Sequence, residues 1–145
     1  MIDSISSCAR AATAEEARYR IDRPIGGRSA RIIALDPGAA EVVQRVAELP
    51  WGASRFFADA STFSVATELD DADVAIMIGT ADADGDAAAA IARACAERGI
   101  MTAGLILGDR LEVGDAVSLL RPYARNLMVT EDEDDVAAVL TALRA

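Results

Sequence analysis

The chain has no lysine and no histidine; all 14 of its basic residues are arginines. These two absences exclude whole reaction classes before any motif is sought. Without lysine there is no P-loop lysine to hold a phosphate and no Schiff base to a carbonyl or to pyridoxal. Without histidine there is no Ser-His-Asp triad, no Cys-His dyad and no zinc site built on imidazole. Cysteine is nearly absent as well: Cys8 and Cys95 stand alone, so a four-thiolate metal site is excluded. Two isolated thiols in a chain of this length fit a reduced, cytoplasmic setting. No apolar run approaches the roughly 20 residues of a membrane-spanning helix. The opening MIDSISSCAR lacks the charged start and apolar centre of a signal peptide, so none is expected.

What the chain does have is acid. Twenty-four aspartates and glutamates set the formal net charge at −10, which argues against nucleic acid or an anionic membrane as partner. The charge is uneven. Residues 1–31 hold six arginines against four acids, whereas residues 32–145 hold eight against twenty. A mildly basic arm over residues 1–28, with a short helix expected from Thr13-x-x-Glu16, precedes a strongly acidic body. At 52% hydrophobic residues the chain has material for one buried core, and residues 29–145 read as a single domain.

Within that body, apolar β-rich runs alternate with alanine-rich helical periods. Arg31 to Leu35, Arg55 to Ala58, Asp73 to Ile78, Ile100 to Leu107 and Asn126 to Thr130 read as five strands. Helices are expected at 39–49 (Val42, Val43, Val46 and Leu49 on one face), 86–98 (Ala88, Ile91, Ala92 and Cys95), 113–121 and 131–144. Gly99 fits a helix C-cap, and Thr130 with Glu133 has the spacing of a capping box. Trp51 and one of Phe56 or Phe57 read as packing residues, and Cys95 as core. The alternation predicts a Rossmann-like α/β domain of three layers, with a five-stranded, mostly parallel sheet and helices on both faces.

In such sheets ligands bind beyond the carboxyl ends of the strands. Eleven acids follow the five predicted strands there: Asp36, Asp59, Asp82, Asp84, Asp86, Asp109 and the run Glu131 to Asp135. Arg110 is the single cation among them. Asp36, Gly38, Gly79, Thr80, Gly85 and Arg110 are therefore the candidate ligand-binding residues. Asp82, Asp84 and Asp86 are the candidate metal ligands, for a divalent cation such as Mg²⁺ or Ca²⁺. Their alternation starts like a calcium loop, but Ala87 stands at the sixth position and Arg93 at the twelfth, where that loop needs glycine and glutamate. Each acid also has a purely local use, because carboxylates at helix N-termini satisfy free N–H groups.

The stretch Ala72-Asp73-Val-Ala-Ile-Met-Ile-Gly79, the loop holding Gly85, the alanine-rich helix and Glu97-Arg98-Gly99-Ile100-Met-Thr102-Ala-Gly104 resemble the nucleotide-binding domain of the FtsZ/tubulin family. Leu120-Arg-Pro-Tyr-Ala-Arg-Asn-Leu-Met-Val129 is similar to a later helix and strand of that family, and the likeness spans about residues 31–130. The resemblance implies the scaffold. It does not imply GTP hydrolysis, because the family's first glycine run is reduced to Gly38 and its glycine-threonine phosphate loop reads Asp82-Ala-Asp84-Gly85-Asp86. The family's second domain has no counterpart in this sequence. Sugar-isomerase-type domains share the strand, loop, helix and strand, but their serine-rich loop is missing. The expected function is that of a non-catalytic, nucleotide-binding-like domain acting through a protein partner or as a homo-oligomer, with nucleotide binding weak or absent. The alternative is a small-molecule or metal-assisted enzyme, or a subunit of one, working at the acidic edge.

Overall fold

The computed structural model describes residues 29–143; the basic arm and its expected helix lie outside them. In chain order the elements are β1 (Ala30–Ala34), α1 (Pro37–Val46), β2 (Arg55–Phe57), a 3-10 turn (Ala60–Thr62), β3 (Val74–Gly79), α2 (Gly85–Arg98), β4 (Met101–Leu107), α3 (Gly114–Leu120), β5 (Asn126–Thr130) and α4 (Asp134–Ala142). The strands form one sheet in the order β2-β1-β3-β4-β5, with every neighbouring pair parallel.

Why the sheet is covered on both sides follows from its residues. Every position of β3, VAIMIG, is buried, which a half-solvated strand would not tolerate. Side chains alternate between two cores. Ile33, Met77 and Ile106 pack under α2, α3 and the chain between β2 and β3, while Ile32, Ile76 and Leu105 pack under α1 and α4. Two helices therefore lie on one face, and two helices with an irregular crossover on the other. That crossover replaces a helix by the 3-10 turn and further turns, and it inserts Phe63 and Leu69 into the core. Phe63 meets Phe57 edge to face at 4.8 Å.

Three local expectations change. Helix α1 stops at Val46 and Leu49 is 48% exposed, because the following Pro50 disfavours a helical conformation at Leu49. The end is closed by Trp51, whose indole N–H donates to the Val46 carbonyl at 2.7 Å and whose ring lies 5.7 Å from that of Phe56. On α2 the buried face uses Ala94 with Ala88, Ile91 and Cys95, and Ala92 is only half-buried; Gly99 caps the helix at φ 69°, as expected. The capping box of α4 does not form. The Thr130 hydroxyl donates instead to Asp135 at 2.6 Å, and Glu133 turns to α1, where Arg45 grips both its oxygens at 2.6 and 2.7 Å. A bidentate guanidinium outcompetes a neutral amide for that carboxylate.

Cys95 is wholly buried, and its burial pushes the thiol from 9.0 up to about 11, against a small opposing effect of Arg98. The unfolded chain ionises this thiol first, so its contribution is present below pH 9 and is lost as pH rises through 11. The loss amounts to about 2–3 kcal/mol over that window. Urea midpoints measured from pH 8 to 11 should fall more steeply for the wild type than for Cys95→Ala. Parallel curves would show that the thiol is not held neutral.

No helix among the described residues is long and apolar enough to cross a membrane.

Candidate functional site

The sheet winds one way from β1 to β2 and the other way from β2 to β3. The crevice at this switch point lies beyond the carboxyl ends of β1 and β3, where open α/β sheets bind ligands. A cleft of about 660 Å³ occupies this place, with Asp36, Asp59, Asp84 and Asp86 as its charged lining, Ser61 as a hydroxyl, and Leu35, Pro37 and five alanines as apolar walls.

Asp36 is its structural centre. The first strand delivers it at the strand exit, and Pro37 starts α1 with a preset φ. One carboxylate oxygen accepts from the Ala39 amide and the Thr80 hydroxyl, both at 2.9 Å; the other accepts from the Thr80 amide at 2.7 Å. The buried side chain thus caps α1 and ties the β1 exit to the β3 exit across the switch point. Gly38 and Gly79 serve that tie. A Cβ on Gly38 would come within 3.1 Å of the Thr80 methyl and 3.2 Å of the Asp36 carboxylate, and one on Gly79 within 2.8 Å of Ala83 Cβ. These two of the three candidate ligand glycines make room for protein. Gly85 does likewise, since its Cβ would meet the Leu119 side chain at 2.8 Å.

The other acids repeat one local device. Asp59 accepts from the Ser61 amide at 2.9 Å, Asp84 from the Asp86 and Ala87 amides at 2.9 and 3.1 Å, Asp109 from the Leu111 amide at 2.7 Å and Asp132 from the Asp134 amide at 2.9 Å. With Asp36, one aspartate closes the exit of each of the five strands. The hydrogen bonds from the Ser61 amide and hydroxyl hold the Asp59 carboxyl below its ordinary value, so it is a weak proton acceptor at neutral pH.

The candidate metal ligands divide. Asp84 is spent on capping, Asp86 faces the cleft from the first turn of α2, and Asp82 is exposed and does not line the cleft. Among the described residues no group of three or more histidines, cysteines, aspartates or glutamates is gathered as a metal ion requires. Arg110, the single cation of the acidic edge and a candidate for pairing with an acid or touching an anionic ligand, sits exposed in the β4–α3 loop, forms no ion pair among the described residues and does not line the cleft. Its neighbour Leu111 is 93% exposed. The polar lining residues outside the candidate set are Asp59 and Ser61. Their signal is an aspartate two residues before a serine, directly after a strand.

The chain matches no family model and none of the curated proteins.

Proposed function

We propose that the chain is a non-catalytic, nucleotide-binding-like domain of the FtsZ/tubulin kind, acting through contact with a protein that presents arginines or lysines to its acidic edge. One observation carries the reading. Three backbone N–H groups at the starts of α1 and α2 that a phosphate would take in this crevice, those of Ala39, Asp86 and Ala87, already donate to Asp36 and Asp84. The cleft holds four carboxylates and no cation among its lining residues, so a triphosphate meets both occupied donors and like charge. A basic side chain meets the opposite field. Leu111, at 93% exposure beside the same edge, supplies an apolar anchor that a partner protein could cover.

Isothermal titration and thermal shift with GTP and ATP in Mg²⁺ should show neither heat nor stabilisation. An arginine-rich peptide should bind, weaken as salt rises, and bind less to Asp82→Asn/Asp86→Asn, a variant that leaves the capping aspartates in place. Phosphate release from GTP or ATP above that of the same variant would overturn the reading, as would a peptide affinity insensitive to both salt and the substitutions.

A further inference from the structure

The two edges of the sheet are not equivalent. At one end, β2 is a three-residue strand that opens on Arg55, and Arg55 pairs with Glu68 at 3.1 Å. A short, charged edge of this kind resists pairing with another chain. At the other end, β5 runs five residues, Asn-Leu-Met-Val-Thr, with no charge, proline or glycine. It bonds only to β4, and Met128 is 37% exposed at its centre. Beside it, Met128, Thr130 and the α4 residues Asp135, Ala138, Val139 and Ala142 line a groove of about 310 Å³, in which the Asp135 carboxylate accepts from the Thr130 hydroxyl at 2.6 Å.

The Thr130 carbonyl accepts from the Gly108 amide of the neighbouring chain segment at 2.9 Å, so Thr130 faces β4. Within Asn126–Thr130 the two-residue alternation of a strand turns the N–H and C=O groups of Leu127 and Val129 to the open side; the Arg125 amide, one residue before the strand, bonds to the Thr102 carbonyl of β4 at 3.1 Å. An antiparallel copy of β5 related by a twofold axis through Met128 would set Leu127 opposite Val129, and those outward groups would bond to one another. In the same register Asn126 meets Thr130, and Met128 meets Met128, whose flexible thioethers can fill the merged grooves.

The flanks decide the occupant. Arg125 stands three residues before Met128 and Glu131 three after it. Both are exposed, and neither side chain has an ion pair or hydrogen bond among the described residues. In the twofold register each Arg125 lies opposite the other copy's Glu131, giving charge complementarity twice over by symmetry. We propose that β5 is the seam of an antiparallel homodimer, in which two copies join their sheets across Met128. This surface is separate from the acidic cleft, and the proposal does not depend on the reading of that cleft.

Sedimentation velocity over a concentration series tests it, at physiological ionic strength, where a screening length of about 8 Å mutes the repulsion of the two acidic bodies. The wild type should pass from monomer to dimer as concentration rises. Arg125→Glu sets like charges opposite each other at both ends of the seam and should weaken the dimer roughly tenfold. Arg125→Glu/Glu131→Arg should restore wild-type association. Val129→Pro, which removes an outward amide, should be monomeric, with circular dichroism checking that it folds. A wild type that stays monomeric throughout overturns the proposal. So does a dimer unmoved by Arg125→Glu, or one that the double exchange fails to restore.

Discussion

Asp36→Ala is expected to destabilise the domain by about 3–4 kcal/mol, the summed loss of a helix cap and of charged hydrogen bonds to buried donors. The Ala39 amide, the Thr80 amide and the Thr80 hydroxyl all lose their acceptor at once. Alanine offers nothing in return, and the bonds it removes are buried at Ala39 and half-buried at Thr80. For a domain of this size the melting temperature should fall by about 10 °C or more. Asp36→Asn separates the parts of this effect. Its amide oxygen can still accept from Ala39 and the Thr80 hydroxyl, but its NH₂ group then faces the Thr80 N–H, donor against donor. The loss should be roughly half that of the alanine variant. Urea denaturation at neutral pH measures both. An alanine variant within about 0.5 kcal/mol of wild type would mean that Asp36 is free of its partners, and a ligand role for it would then be open again.

The same residue shows how far the sequence could be read. That Asp36 ends a strand and begins a helix is local information, carried by Asp-Pro-Gly after an apolar run. The five strands and four helices of the body follow in the same way from apolar spacing, and β5 has the limits Asn126–Thr130 that its composition predicts. A local capping use for the aspartates at the strand exits was legible too, because an aspartate two or three residues before a free amide needs no distant partner. The missing knowledge concerns residues far apart in the chain. Asp36 reaches Thr80 across 44 residues and Arg45 reaches Glu133 across 88. Neither pairing can be anticipated until strand order sets β1 beside β3 and brings α1 near the β5 exit. For the same reason Gly38 and Gly79 read as ligand glycines in sequence and as clearance for side chains in the fold.

Arg31→Ala should have the second largest effect, about 3 kcal/mol, from lost packing of a long side chain and from carbonyls left without a donor. A guanidinium in the first turnless run of the sheet is the least expected member of the interior: Arg31 is 5% exposed inside β1, with Arg55 as its register partner on one side and Ala75 on the other. Burial lowers its pKa, and Arg55 adds to that; Glu68, Asp71 and Asp73 work in the opposite direction. Its hydrogen bonds show what it holds. Nε donates to the Glu68 carbonyl at 2.6 Å, and Nη1 to the Ser29 hydroxyl at 2.9 Å and the Ala30 carbonyl at 3.2 Å. Glu68 belongs to the irregular crossover between β2 and β3, the one connection in the described sheet without a helix to fix it. Arg31 thus fastens to the sheet a segment whose own backbone bonds are local turns, such as that of the Glu68 amide to the Ser64 carbonyl at 2.8 Å, and Leu69 of the same turn enters the core. Hydrogen exchange should therefore show protection lost first around residues 64–72 in Arg31→Ala, ahead of β3 and β4. Arg31→Met restores volume without donors. If it recovers most of the stability, packing is the larger part of the effect; if it falls with alanine, the hydrogen bond to Glu68 is. Exchange that rises evenly over the whole sheet in both variants would show that Arg31 supports the core at large and has no particular hold on the crossover.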